Sequence, residues 1–152
     1  MRYITLLAAI LCVCFAVVSG HASKKKAPSK PTIIEKLTLD DVLFERGSDR
    51  IKPEARPLLE ELVKKIKAAP EEYMVFVEGY TDDTGTLRVN MELSQKRAEA
   101  VANILKTEMG VEPTRVHARG FGPERPAVAN DSEANRAKNR RVEILVSNYW
   151  PY

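Results

Sequence analysis

The chain has 152 residues, 24 Lys+Arg against 21 Asp+Glu, a formal net charge of +3, two cysteines and two histidines. That length suits one domain with a real core, and the near-neutral balance argues against electrostatic binding of nucleic acid. Cys12, Cys14 and His21 all fall in the N-terminal leader and His117 stands alone, so disulfides, thiolate catalysis and histidine metal or acid-base centres lack raw material.

Residues 1–22 read as a cleavable signal peptide. Arg2 gives a weak positive start, residues 4–18 are apolar apart from Thr5, and Gly20-His21-Ala22 places small residues where a signal peptidase reads. The run is shorter than the roughly 20 residues a membrane-spanning helix needs. The leader implies export from the cytoplasm. Removing these residues takes away Arg2 and no acid, leaving 23 basic against 21 acidic residues. Lys24, Lys25, Lys26 and Lys30 then crowd into residues 23–31, a Lys/Pro/Ser stretch of the linker expected over 23–36 that reads as solvated and extended.

Residues 37–44 alternate in part and predict a first strand. After a polar connection, Pro53-Glu54-Ala55 opens a helix with Ala55, Leu58, Leu59, Leu62, Val63 and Ile66 as its buried stripe, stopped at Pro70. The short apolar run 73–77 predicts a central strand. A second helix follows over 89–109, with Gly110 in the C-terminal capping position. Residues 116–119 predict a third strand, and Gly120-Phe121-Gly122-Pro123 opens an ordered loop. A short helix over 132–138 takes Ser132 as its N-cap, and alternation over 141–147 predicts a fourth strand. The order β-α-β-α-β-(α)-β implies an α+β two-layer sandwich, with helices on one face of a mixed four-stranded sheet. The domain is expected over 37–147, followed by an aromatic tail at 148–152.

One residue breaks the pattern. On the second helix Leu93, Ala100, Val101, Ile104 and Leu105 recur at helical spacing, and Arg97 falls on or beside that stripe. A buried guanidinium cannot shed its charge and requires an acceptor. Asp82, on the turn after the central strand, is a candidate. The two could simply pair. Alternatively, an acceptor-only carboxylate and a donor-only guanidinium could together grip a zwitterionic amino-acid head, ammonium on Asp82 and carboxylate on Arg97. Glu78, Asp82 and Asp83 are close enough in sequence to suggest a carboxylate pair for glycoside hydrolysis. However, a Thr-Asp-Asp-Thr-Gly turn uses aspartate to accept from its own backbone, the reading preferred for Asp83. No nucleophile elbow, phosphate loop or metal-binding histidine pair is present, so no enzyme and no cofactor is expected.

Glu78-Gly79-Tyr80-Thr81-Asp82-x-x-Gly85, Asn90-x-x-Leu93-Ser94-x-x-Arg97-Ala98-x-x-Val101, Gly120-x-Gly122 and Asn139-Arg140-Arg141-Val142-Glu143 follow in order. Jointly they resemble the OmpA-like peptidoglycan-binding domain, over roughly residues 37–147. The resemblance implies non-catalytic binding of the diaminopimelate in the peptidoglycan stem, its ammonium on Asp82 and its carboxylate on Arg97. Thr81 and Asn90 match polar positions lining that site, Leu93 its wall, and Asn139 and Arg140 further positions at its border. Of the adjacent Arg140 and Arg141, one is expected at the site and the other in solvent. The chain departs from the family with Val89-Asn90 for Tyr-Asn, and with Glu45 and Arg46 in the first loop, where Arg46 is expected to alter the rim's charge. The implied function is tethering of the protein or an envelope partner to the wall. The alternative is an adaptor or assembly subunit that binds envelope proteins with little glycan affinity.

Overall fold

The computed structural model describes residues 30–45 and 47–150. The expected signal peptide, most of the basic linker, Arg46 and the last two tail residues lie outside them. Seven main elements follow in chain order: β1 (Ile33–Asp40), α1 (Arg56–Ala68), β2 (Met74–Tyr80), α2 (Leu87–Asn103), β3 (Val116–Gly120), α3 (Glu133–Asn139) and β4 (Arg141–Ser147). The sheet order is β1-β4-β2-β3, with β4 antiparallel to both neighbours and β2 parallel to β3. The fold is the expected α+β sandwich on a mixed four-stranded sheet.

Alternation places Val75, Val77, Val142, Ile144, Val146 and Leu39 on one sheet face, where they form a single core with Leu59, Leu62 and Ile66 of α1 and Val101 and Leu105 from α2 and its extension. Leu58, expected in the α1 stripe, is 43% exposed. Its position lies almost a quarter turn from the centre of the Leu59, Leu62 and Ile66 face, so it borders the core without entering it. Past Asn103 the helix widens into one turn closed by Met109 N–H on the Ile104 carbonyl at 3.1 Å, and Gly110 (φ +64) ends it.

The first strand lies four residues earlier than expected. Its partner decides this: β4 begins at Arg141, opposite Asp40, so beyond Asp40 there is no ladder to join. Residues 41–43 turn away as one 3₁₀ turn, anchored by Asp41 N–H on the Arg140 carbonyl at 3.0 Å. Residues 33–36, assigned to the linker from composition, are therefore strand, with Lys36 paired to Glu143 at 2.9 Å.

The register of α2 on the sheet is set by absent side chains. A Cβ on Gly79 would stand 2.0 Å from the Ser94 carbonyl oxygen, and one on Gly120 would stand 2.4 Å from Gln95 N. Only glycine permits this approach, which polar groups then lock: Gln95 Oε1 accepts from Gly120 N–H at 2.7 Å, and Ser94 Oγ accepts from Gly122 N–H at 2.9 Å. This docking carries Arg97 to the end of β2.

Candidate functional site

The buried face of α2 changes character along its length. Its C-terminal half buries Ala98, Val101 and Ala102 in the core, whereas its N-terminal half buries Asn90, Ser94 and Arg97. Those polar residues face the turn after β2. There Thr81 and Asp82 are buried, and Thr81 N–H bonds the Gly122 carbonyl at 2.9 Å. Asp82 Oδ1 accepts the Thr84 N–H at 2.9 Å and also the Thr84 hydroxyl. Asn90 Nδ2 closes the turn by donating to the carbonyls of Asp82 at 3.3 Å and Thr84 at 2.9 Å. The turn-forming role expected of Asp83 thus belongs to Asp82, and Asp83 is exposed.

Asp82 and Arg97 do not pair with each other. Arg140 Nη1 holds Asp82 Oδ2 at 2.7 Å, and Asp41 Oδ1 holds Arg97 Nη2 at 2.8 Å. Arg97 is 2% exposed, donates from Nε to the Ser48 carbonyl at 3.0 Å and lies 4.9 Å over the Phe44 ring. Arg140 reaches three acids: Asp82, Asp41 Oδ2 at 3.1 Å and Glu133 Oε1 at 2.9 Å. Burial works to raise the Asp82 pKa, but the Thr84 bonds and Arg140 outweigh it and hold the carboxyl below its ordinary range.

These groups open onto one cavity of about 470 Å³. Its walls include Asp82, Thr81 and Asn90 together with Arg97, Leu93, Asp41, Arg140 and Glu133. Opposite charges therefore stand around a shared space, each already balanced by a neighbour. The arrangement matches a ligand carrying both charges. Among the described residues, no group of three or more His, Cys, Asp and Glu side chains is arranged to hold a metal ion.

A model of the OmpA family matches residues 43–140. The chain belongs to the OmpA family. Among relatives, it is 40% identical over 108 residues to the probable lipoprotein YiaD of Escherichia coli (strain K12), covering 71% of this chain and 48% of that one. It is 39% identical over 101 residues to the peptidoglycan-associated lipoprotein of Pseudomonas aeruginosa, covering 66% and 58%. The chain thus spans about half the length of these two relatives. Among solved structures, the periplasmic domain of Helicobacter pylori MotB superposes with a TM-score of 0.65 at 30% identity, covering 78% of this chain and 82% of that one.

Within this OmpA family domain, six of the seven site residues expected from sequence, Thr81, Asp82, Asn90, Leu93, Arg97 and Arg140, line the one cavity. Asn139 does not. Its amide is consumed by the 127–130 loop, accepting from Ala127 N–H at 2.8 Å and Val128 N–H at 3.1 Å and donating to the Val128 carbonyl and Asn130 Oδ1. It is fully buried and shapes the approach to β4. Arg141, expected in solvent as the alternate of Arg140, is 7% exposed. It lies 3.9 Å over the Tyr80 ring and bonds Glu143 Oε1 at 2.8 Å, because the sheet face opposite the helices is itself covered. Trp150 packs edge-on to Phe76 there.

Asp41, Thr84, Gly47 and Glu133 also line the cavity, and sequence reasoning missed them. Asp41 fell inside the strand expected over 37–44, and only the observed end of β1 at Asp40 places it at the cavity. Glu133 lies in the first turn of α3, where an acid is commonplace and carries no site signal of its own.

Proposed function

We propose that this domain binds peptidoglycan non-covalently through the diaminopimelate of the stem peptide. The observation that carries the reading is that Asp82 and Arg97 line one cavity while each is neutralised by a different partner. A diaminopimelate side chain ends in an ammonium and a carboxylate on one carbon. The ammonium takes Asp82 in place of Arg140, which keeps Asp41 and Glu133 as acceptors. The carboxylate takes Arg97, whose Nε and one Nη2 contact are already committed, leaving its outer edge to fork onto two oxygens. Leu93 packs the methylenes, and Thr81 and Asn90 fix the polar rim. The relative named peptidoglycan-associated lipoprotein supports the same ligand class.

The role is attachment, not catalysis. An aspartate held below its ordinary range and engaged by arginine is ionised at neutral pH and unsuited to donate a proton. The protein, exported through its N-terminal leader, would tether itself or an envelope partner to the wall from the periplasmic side. Its layout would be leader, basic linker, domain and aromatic tail.

Thermal shift with stem peptides tests this. The diaminopimelate peptide should stabilise the protein in proportion to the logarithm of its concentration. The same peptide amidated at the diaminopimelate side-chain carboxylate should not. Equal stabilisation by both rejects the site, and failure to retain purified sacculi would favour the adaptor reading.

A further inference from the structure

A second cavity of about 330 Å³ adjoins the first, and the two share Gly47 and Leu93 in their walls. No side chain stands at Gly47 in that shared wall, and a Cβ there would meet nothing within 4 Å beyond its chain neighbours. On the far side lie Val89, an apolar side chain 50% exposed at the start of α2, and Lys96. Lys96 is held by Glu92 at 2.7 Å, both side chains being 55% exposed. Exposed pairs of this spacing are weak and exchange readily with other partners.

We infer that this second cavity is a subsite for the acidic residue amide-linked to diaminopimelate in the stem peptide, with Lys96 as the cation for its free carboxylate. The inference rests on the diaminopimelate reading of the first cavity. A stem residue cannot enter the first cavity without its neighbour leaving along the chain, and the shared Gly47 and Leu93 wall offers a route. The γ-linked glutamate next to diaminopimelate has two features to satisfy. Its methylenes find Val89 and Leu93, an apolar pair on one helix face four residues apart. Its α-carboxylate finds Lys96, which stands three residues past Leu93 and needs only to turn from Glu92. Asp49 and Glu92 also line the cavity, so without Lys96 the subsite would repel that carboxylate. Lys96 therefore sets the selectivity for an unmodified glutamate.

Calorimetry with three probes decides this: free diaminopimelate, γ-D-glutamyl-diaminopimelate, and that dipeptide amidated at the glutamate α-carboxylate. The wild-type protein should bind the free dipeptide about tenfold more tightly than the amidated one. Lys96→Glu should reverse that preference and bind the amidated dipeptide more tightly, while keeping wild-type affinity for free diaminopimelate, which also shows that the variant folds. Equal binding of both dipeptides by the wild type, or a preference for the free dipeptide that survives Lys96→Glu, overturns the subsite. If the wild type binds none of the three, the diaminopimelate reading falls and the subsite falls with it.

Discussion

Asp41 holds the buried guanidinium of Arg97 at 2.8 Å, and with its second oxygen it reaches Arg140 at 3.1 Å. One carboxylate on the 3₁₀ turn after β1 thus spans a helix residue and a residue at the start of β4. Arg97 has no other carboxylate among the described residues, whereas Arg140 also has Asp82 and Glu133. The first prediction follows from that asymmetry. Asp41→Ala should destabilise the ligand-free protein by about 2 kcal/mol or more, because it strands a buried charge. Asp82→Asn should cost about 1 kcal/mol, since the amide oxygen still accepts from Thr84. Urea midpoints in which Asp82→Asn is the more damaging change would contradict this hierarchy.

Binding should depend on the shape of the Arg97 head group as well as its charge. In Arg97→Lys an ammonium can still face Asp41, so the fold should survive. It cannot serve the Ser48 carbonyl, Asp41 and a two-oxygen ligand at once. Affinity for a diaminopimelate peptide should fall roughly 30-fold, in line with losing about 2 kcal/mol or more of a desolvated charge contact. Calorimetry giving wild-type affinity would eliminate the forked contact.

The close approach of α2 to the sheet gives a backbone test. Gly79→Ala places a methyl group 2.0 Å from the Ser94 carbonyl oxygen, so the helix must move away, at about 1–3 kcal/mol. Because the same helix carries Arg97 and Asn90, ligand affinity should drop along with stability. Gly47→Ala also has a strained backbone (φ +65), but its Cβ meets open space, so it should cost about 1 kcal/mol. Paired denaturation curves that rank Gly47→Ala as the worse substitution would refute the packing argument.

Stability should fall in two steps on acidification. His117, packed against Phe76 and Trp150, has its pKa lowered by burial and by Lys106, so its neutral form stabilises the fold. That contribution is complete above the unfolded value of about 6.5 and is lost as pH falls below it. Asp82 is also held below its ordinary value, so its contribution is complete above about pH 4 and is lost on further acidification. Melting temperatures measured from pH 8 to 3 should show both slopes. His117→Phe should remove the upper one and Asp82→Asn should reduce the lower one, and unchanged slopes in these variants would assign the loss to other groups.

Element order and fold class were legible in the sequence alone, whereas Thr81, Asn90, Leu93 and Arg140 of the cavity's lining came from the motif resemblance. Order and class rest on local rules: apolar periodicity marks buried faces, and glycine, proline and serine mark where elements stop. Arg97 was legible for the same reason, since a charge on an apolar stripe violates a pattern that needs no tertiary knowledge. Partnership was not legible. Asp82 and Arg97 are fifteen residues apart, yet their counter-charges come from Arg140 and Asp41, brought in from opposite ends of the domain by the pairing of β1 with β4. That pairing also ended β1 at Asp40 and drew residues 33–36 into the sheet. A side chain's partner depends on which strands lie side by side, and only the folded chain fixes that, because ladder register couples residues far apart in sequence.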